Sequence, residues 1–430
     1  MNGCKISVFL FSLLIAILCC GCSAEHPSAA VNTAEETETI AAEDEPQESL
    51  IDSDFTPTAA LSCISDAQHA AIMLTDADGN FFPDADVSRA DFCVTLASLL
   101  NNLPQGACPY EDVAEGEYAY SAAASLYAGD ILPWSADYPL QPDAAITLDE
   151  VSIILQRTAL SMQGEEADRV SELADQFSGA AFLTRAELAY IGETILNREP
   201  SEGALVIHEC LPSDVSIGDY CWNYIADAVC DEVLEIPAEG VYRAYGSLYG
   251  VWQDGMLIRD LDYGVWAFDA NGRYTTGDEE LDGYLEAALE DSGANDLEDN
   301  DEALRAAYLY VKYNFSYIVT PADMETIDTG VTGWEYERAL RFFQYSGGTC
   351  YGYAAVFGLM ARMLGKTAYI VSAGVNENAW PHGFVVIPED GNDWIYDPEL
   401  EATRLERHAD FDLFRIQNFT IYNYWYDPDW

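Results

Sequence analysis

Two patterns of apolar and polar positions divide the chain. Between residues 60 and 235 apolar residues cluster at helical spacing in short stretches, and from residue 240 they alternate or run in short blocks between turn residues. The first pattern predicts amphipathic helices and the second predicts strands. The helical stretches share a preamble. Phe82-Pro83-Asp84 precedes Val87-Ser88-Arg89-Ala90-Asp91-Phe92 and an apolar helix to Leu100. Leu140-Gln141-Pro142-Asp143 leads through Ile146-Thr147-Leu148-Asp149-Glu150 into a second such helix, and Leu183-Thr184-Arg185-Ala186-Glu187-Leu188 opens a third. In each, a Ser or Thr is followed three residues later by an acid, the signature of an N-cap closed by a capping box. Tyr110-Glu111-Asp112-Val113 introduces another helix over residues 119–127, and Asp214-Val215 before residues 220–233 reads as a further half-repeat.

Residues 240–277 carry short aromatic strands, with Asn271-Gly272 as the turn of a hairpin. An acidic run over residues 290–302 marks a boundary before a helix at residues 303–314. Beyond it, Tyr351 to Leu364 is apolar at helical spacing, Trp380-Pro381-His382-Gly383-Phe384-Val385-Val386-Ile387 reads as a strand, and Trp394-Ile395-Tyr396 as its antiparallel neighbour. The fold class is therefore multidomain, with helical repeats, a small β-rich connector, and an α+β C-terminal domain.

The N-terminus has the pattern of an export signal: Lys5, then an apolar stretch from Ile6 to Leu18, too short for a span of about 20 residues. Leu18-Cys19-Cys20-Gly21-Cys22-Ser23 resembles a bacterial lipoprotein cleavage site, which implies that Cys22 is the lipidated first residue. From there to residue 60, Ala, Glu, Thr, Ser and Pro dominate, a composition that cannot bury enough surface to fold and so predicts a solvated tether. The expected location is the bacterial cell envelope, exported and held on the outer face of the membrane by acyl chains.

Charge narrows the partners. With 75 acidic residues against 18 basic ones the net charge is −57, which excludes nucleic acid and favours solubility at a crowded surface. Besides Cys22 and Cys350, six cysteines follow the leader: Cys63, Cys93, Cys108, Cys210, Cys221 and Cys230. They are read either as disulfides of an oxidising compartment or as buried free thiols.

The chemistry sits near the C-terminus. Gly347-Gly348-Thr349-Cys350 places a thiol at the start of an apolar helix, where the dipole and the first-turn N–H groups favour a thiolate and can hold an oxyanion. His382 lies at the head of its strand and Asp397 at the end of the neighbouring one, so the carboxylate falls beside the imidazole. Cys350, His382 and Asp397 lack the short paired spacings of zinc sites, so no metal is expected there, and no cofactor is expected elsewhere.

The Gly-Cys-aromatic-Ala helix start, the His before an apolar strand and Asp397-Pro398 after an aromatic one resemble the transglutaminase-like superfamily of papain-related cysteine enzymes. Leu359-Met360-Ala361-Arg362-Met363-Leu364-Gly365 looks like that family's helix end. The resemblance implies Cys350 as nucleophile, His382 as general base and Asp397 as its orienter, with Gln344 or Trp334 as candidates for the second oxyanion donor. Many members carry His-Ala-Trp where this chain has His382-Gly383-Phe384.

The helical copies resemble S-layer homology repeats, modules that fold as a pseudo-threefold bundle and grip wall polymers. That resemblance implies Arg89 and Arg185 as anion contacts and cell-wall polymer as a partner, and the middle copy has Leu148 at the equivalent place. The organisation expected is a signal peptide (residues 1–21), tether (22–60), repeats (61–235), connector (236–300) and transglutaminase-like domain (301–430). The expected function is a cell-surface thiol enzyme acting on peptide or protein amides through a thioester, with hydrolysis favoured over acyl transfer. The rival reading is a non-catalytic wall-binding scaffold.

Overall fold

The computed structural model describes residues 59–65, 69–297, 299–319, 333–376, 380–404, 412–418 and 422–426. The expected signal peptide, Cys22 and nearly all of the tether lie outside them. A short strand pair, β1 (Ser62–Cys63) with β2 (Leu100–Asn101), brackets the first of seven helices: α1 (Arg89–Ser98), α2 (Tyr120–Ala128), α3 (Leu148–Leu160), α4 (Glu165–Ala174), α5 (Arg185–Leu196), α6 (Glu202–Ile207) and α7 (Trp222–Val229). One continuous apolar core, including Phe81, Phe92, Ile154, Leu188 and Trp222, joins them.

The preambles to α1, α3 and α5 meet in a closed ring. Val87 N–H donates to Leu183 O (2.8 Å), Leu183 N–H to Ile146 O (3.0 Å), and Ile146 N–H to Val87 O (2.9 Å). The ring is pseudo-threefold, each segment donating to the next one round. Thr147 with Glu150 and Thr184 with Glu187 form complete capping boxes. At α1, Ser88 accepts from Asp91 N–H, while the shorter Asp91 side chain takes the Ser88 hydroxyl instead of the cap amide. Two further acids act alike. Asp112 accepts from the N–H groups of Leu140 and Gln141, and Asp214 from those of Phe81 and Phe82. Asp214 thus does for the first preamble what Asp112 does for the second.

Two hairpins follow, β3 (Gly240–Ala244) with β4 (Ser247–Val251) and β5 (Leu261–Tyr263) with β6 (Trp266–Phe268). After β6 the chain turns through Asn271-Gly272 and returns to bridge Tyr274 to Phe268.

The remaining elements are α8 (Glu279–Asp291), α9 (Asn300–Asn314), β7 (Ser316–Tyr317), α10 (Trp334–Gln344), β8 (Gly347–Gly348), α11 (Cys350–Met363), β9 (Tyr369–Val375), β10 (Trp380–Glu389), β11 (Asn392–Tyr396), α12 (Pro398–Arg404) and β12 (Tyr424–Trp425). The sheet order is β11-β10-β9-β12 with antiparallel neighbours. Helix α11 is buried along nearly its whole length between that sheet and α8, α9 and α10. The boundary expected at residue 300 moves earlier. Leu281, Leu285 and Leu289 of α8 share one core with Tyr308, Phe342 and Phe357, so the acidic run at 290–302 is a connection inside this unit.

Candidate active site

Cys350 opens α11 and is only 7% exposed. The chain reaches it through β8, which pairs in parallel with β7, Ser316 opposite Gly347. A Cβ at Gly347 would lie 2.1 Å from Ser316 O, so only glycine permits that pairing. The glycine pair therefore presses the approach to the helix start against a strand and fixes where the sulfur emerges.

His382 is on β10, opposite Ala373 of β9, and 4% exposed. Its ring lies nearly parallel to that of Phe384, two residues on and on the same face of the strand. Nε2 donates to Asp397 Oδ2 at 2.8 Å, which leaves Nδ1 as the nitrogen for a proton from sulfur. Burial alone would lower the imidazole pKa. The charge and hydrogen bond of Asp397, joined by the hydrogen bond and charge of Cys350, outweigh it and hold His382 well above its usual range.

Asp397 is wholly buried and follows β11. The register sets it in place: Val385 pairs with Tyr396, so the next step brings Asp397 beside Phe384 and within reach of His382. It also caps α12, accepting from Leu400 N–H at 3.0 Å, with Pro398 as the first helical residue. A third donor comes from the far end of the chain. Tyr424 on β12 gives its hydroxyl to Asp397 Oδ2 at 3.0 Å. Burial first, then the charge and hydrogen bond of Asp397, push the Tyr424 phenol far above its ordinary pKa, so it remains a donor.

A second carboxylate stands on the other side of the imidazole. Glu399, on the first turn of α12 and 6% exposed, lies with Oε2 3.8 Å from His382 Nδ1. Neither Tyr424 nor Glu399 was singled out by the sequence. The Asp397-Pro398 cap signature could have put Glu399 on the first turn of a helix beside Asp397. The link from Tyr424 rests on the pairing of Tyr424 with Val375, which no local pattern announces.

The structure brings Cys350, His382 and Asp397 together. The oxyanion candidates have these surroundings. Gln344 ends α10 and gives its amide to Glu280 Oε1 at 3.1 Å, and Trp334 packs edge-on against Tyr351. Arg89 donates to Leu140 O and pairs with Glu150 beneath Trp134, and Arg185 donates to Phe81 O and Leu74 O over the Phe81 ring. Both guanidinium groups thus bind the preamble of a neighbouring copy. The described cysteines are all free, and the sulfurs of Cys210 and Cys230 lie 3.9 Å apart.

A buried thiol at a helix start, hydrogen-bonded to an imidazole that a carboxylate orients, is the inventory of a thiol nucleophile. In agreement, residues 287–397 match the family model of the transglutaminase-like superfamily. A solved structure described as "Crystal structure of a TGase" aligns with a TM-score of 0.23 and 19% identity, covering 28% of this chain. The aligned part is 31% of that protein, so this chain spans under a third of its length. No curated protein matches the chain. Among the described residues no helix is long and apolar enough to cross a membrane.

Proposed function

We propose that the chain is a cell-surface thiol enzyme that acts on peptide or protein amides. The observation that carries the proposal is the meeting of Cys350, His382 and Asp397 from a helix start and two adjacent strands. Cys350 sulfur attacks the amide carbonyl, and the first-turn N–H groups of α11 stabilise the oxyanion. His382 takes the thiol proton through Nδ1 and returns it to the leaving amine, while Asp397 stabilises the imidazolium. Collapse gives a thioester, which water or a second amine resolves. Hydrolysis is favoured, because bacterial proteins of the resembling family include many proteases and peptidases.

The same proposal extends to the rest of the chain. The ring of Val87, Ile146 and Leu183 and the repeated caps support an S-layer homology-like module, with wall polymer as its partner. A lipid anchor at Cys22 would hold both modules at the membrane surface.

The test is the pH profile of Cys350 alkylation, with sites mapped by mass spectrometry. A free thiol of pKa about 8.5 is only a few per cent ionised at pH 7, so an ion-paired Cys350 reacts about 10–30 times faster there and loses that advantage in His382→Ala. A Cys350 that is slow at pH 7, or indifferent to His382, sinks the enzyme reading and leaves a wall-binding scaffold.

A further inference from the structure

Cys210 and Cys230 take no part in the chemistry above, yet their sulfurs face each other at 3.9 Å. Cys210 follows α6, its N–H donating to Leu205 O at 3.0 Å, and Cys230 is the C-cap of α7, its N–H donating to Asp227 O at 3.1 Å. Both are half-buried, so a small reagent can reach them. The other polar contacts of the two thiols are long: His208 O lies 3.8 Å from Cys210 Sγ, and Glu232 O lies 3.7 Å from Cys230 Sγ. Cys63 differs, giving its thiol to Ile195 O at 3.2 Å, and Cys93 is wholly buried. An S–S bond is about 2.05 Å long, so closing the pair asks the sulfurs to approach by about 1.9 Å, which rotation about the two Cα–Cβ bonds can supply. We propose that Cys210 and Cys230 are a disulfide-forming pair whose oxidation staples the segment around α7 into the helical module.

The bond would join positions 20 residues apart, at the neck of a loop that holds much in place. Within the loop, Ser213 N–H donates to Gly79 O at 2.9 Å, and Asp214 accepts from the N–H groups of Phe81 and Phe82. Helix α7 buries Trp222 and Ile225 in the common core, and Ala228 O accepts from the N–H groups of Ile72 (2.9 Å) and Met73 (3.0 Å). On the far side of the neck, Leu211 N–H donates to Tyr245 Oη at 3.0 Å and Tyr245 N–H to Glu209 Oε1 at 3.1 Å, in the turn between β3 and β4. A cross-link here ties the approach to α1 and the first hairpin to one point. It acts mainly by removing open conformations of the loop from the unfolded chain.

Closure is a two-electron oxidation and needs an oxidant, here a disulfide RS–SR such as oxidised glutathione or the disulfide of a thiol oxidoreductase. One cysteine thiolate attacks RS–SR, forming a mixed disulfide and expelling RS⁻. The second thiolate attacks the protein sulfur of that mixed disulfide, forming the Cys210–Cys230 bond and expelling the second RS⁻. The two protons lost by the cysteines end on the expelled sulfurs, so the pair is oxidised and RS–SR is reduced to two RSH. The export proposed above would bring the pair to such an oxidant. The pairing itself rests neither on export nor on the Cys350 reading.

The test uses the full chain, reduced, freed of reductant and equilibrated with oxidised glutathione. It is then quenched with an alkylating agent and mapped by mass spectrometry without reduction. The expected product is a peptide pair joined through Cys210 and Cys230, with a melting temperature about 5–10 °C above that of the reduced chain. Cys210→Ser and Cys230→Ser each abolish that rise, whereas Cys221→Ser, inside the same loop, leaves it in place. Should a serine variant fail to fold, mapping and melting of the wild-type chain decide. The pair is overturned if both thiols are alkylated after oxidation, if either is joined to a different cysteine, or if either carries glutathione without closing. A closed pair that melts no higher than the reduced chain, or a rise that survives both serine variants, overturns the staple.

Discussion

Gly383→Ala is the substitution that asks most of the site geometry, because alanine is what many proteins of the resembling family carry there. A Cβ on Gly383 would lie 2.9 Å from Tyr351 Cα and 3.0 Å from both Cys350 O and Tyr351 Cδ1. Two of these are backbone atoms of the nucleophile's own helix turn, so no rotamer change relieves the contact. Ordinary carbon contacts begin near 3.5 Å, and β10 must therefore part from the start of α11 by about half an ångström. Such overpacking costs about 1–3 kcal/mol. Against it, replacing glycine gains about 0.4–1 kcal/mol from a less disordered unfolded chain. The net expectation is a loss of about 0.5–2 kcal/mol, a fall of roughly 2–6 °C in melting temperature for a unit of this size. The same displacement separates Cys350 from His382. A misplacement of 1 Å costs about 100-fold in a positioned reaction, so half of that predicts about tenfold slower Cys350 alkylation at pH 7. Thermal denaturation and alkylation kinetics on the purified variant measure both. A variant that melts at or above the wild type and alkylates at the same rate would refute the close approach of strand and helix.

Tyr424→Phe keeps the ring packing and removes one donor from a buried carboxylate, so the urea midpoint should drop by an amount equivalent to about 1.5–3 kcal/mol; an unchanged midpoint rejects the bond. Glu401→Gln leaves Lys312 buried without a countercharge and weakens acceptance from Tyr308 Oη (2.6 Å) and Leu413 N–H (2.7 Å). A loss of about 3–5 kcal/mol is expected by denaturant titration, partly recovered when Lys312→Met is added. In the helical module, burial above all, then the hydrogen bond and charge of Asp227, push Glu193 up to about 9 against the opposing pull of Arg198. The folded state then holds a proton that the unfolded state has released, so stability falls as pH rises from about 4.5 towards 9. Glu193→Gln should flatten that slope in melting curves taken across the range, and an identical slope in the variant would refute the assignment.

The meeting of Cys350, His382 and Asp397 was legible because each is announced locally: paired glycines before a thiol, a strand headed by histidine, and an Asp-Pro step at a strand end. The capped starts of α1, α3 and α5 were legible for the same reason, since a cap and its acid stand three residues apart. What the sequence hid was long-range. Gln344 has a papain-like spacing from Cys350, but α8 supplies Glu280 beside it, and the amide goes there. The acidic run after α8 reads as a domain boundary only if the helix before it is counted with the connector, and its leucines instead complete the core under α11. Arg89 and Arg185 sit where an anion contact is expected by resemblance, yet each finds carbonyl oxygens on another copy more than fifty residues away. Side chains with several donors are the hardest to assign, because any nearby carbonyl or carboxylate satisfies them.

Residues 287–397 contain all three members of the proposed triad but not what holds the acid still. Asp397 caps α12, and α12 is fastened one turn later through Glu401 to Tyr308 and Lys312 on α9 and to the N–H of Leu413. Residue Ile416 then bridges Ile395 at one edge of the sheet, while Tyr424 pairs with Val375 at the other and reaches back to Asp397. The chain after Asp397 therefore reaches both edges of the sheet over a core of Phe384, Val386, Leu413 and Tyr424. Orientation of the imidazole depends on a carboxylate that two later segments immobilise, which is why a domain cut at Asp397 would keep the reacting groups and lose their geometry.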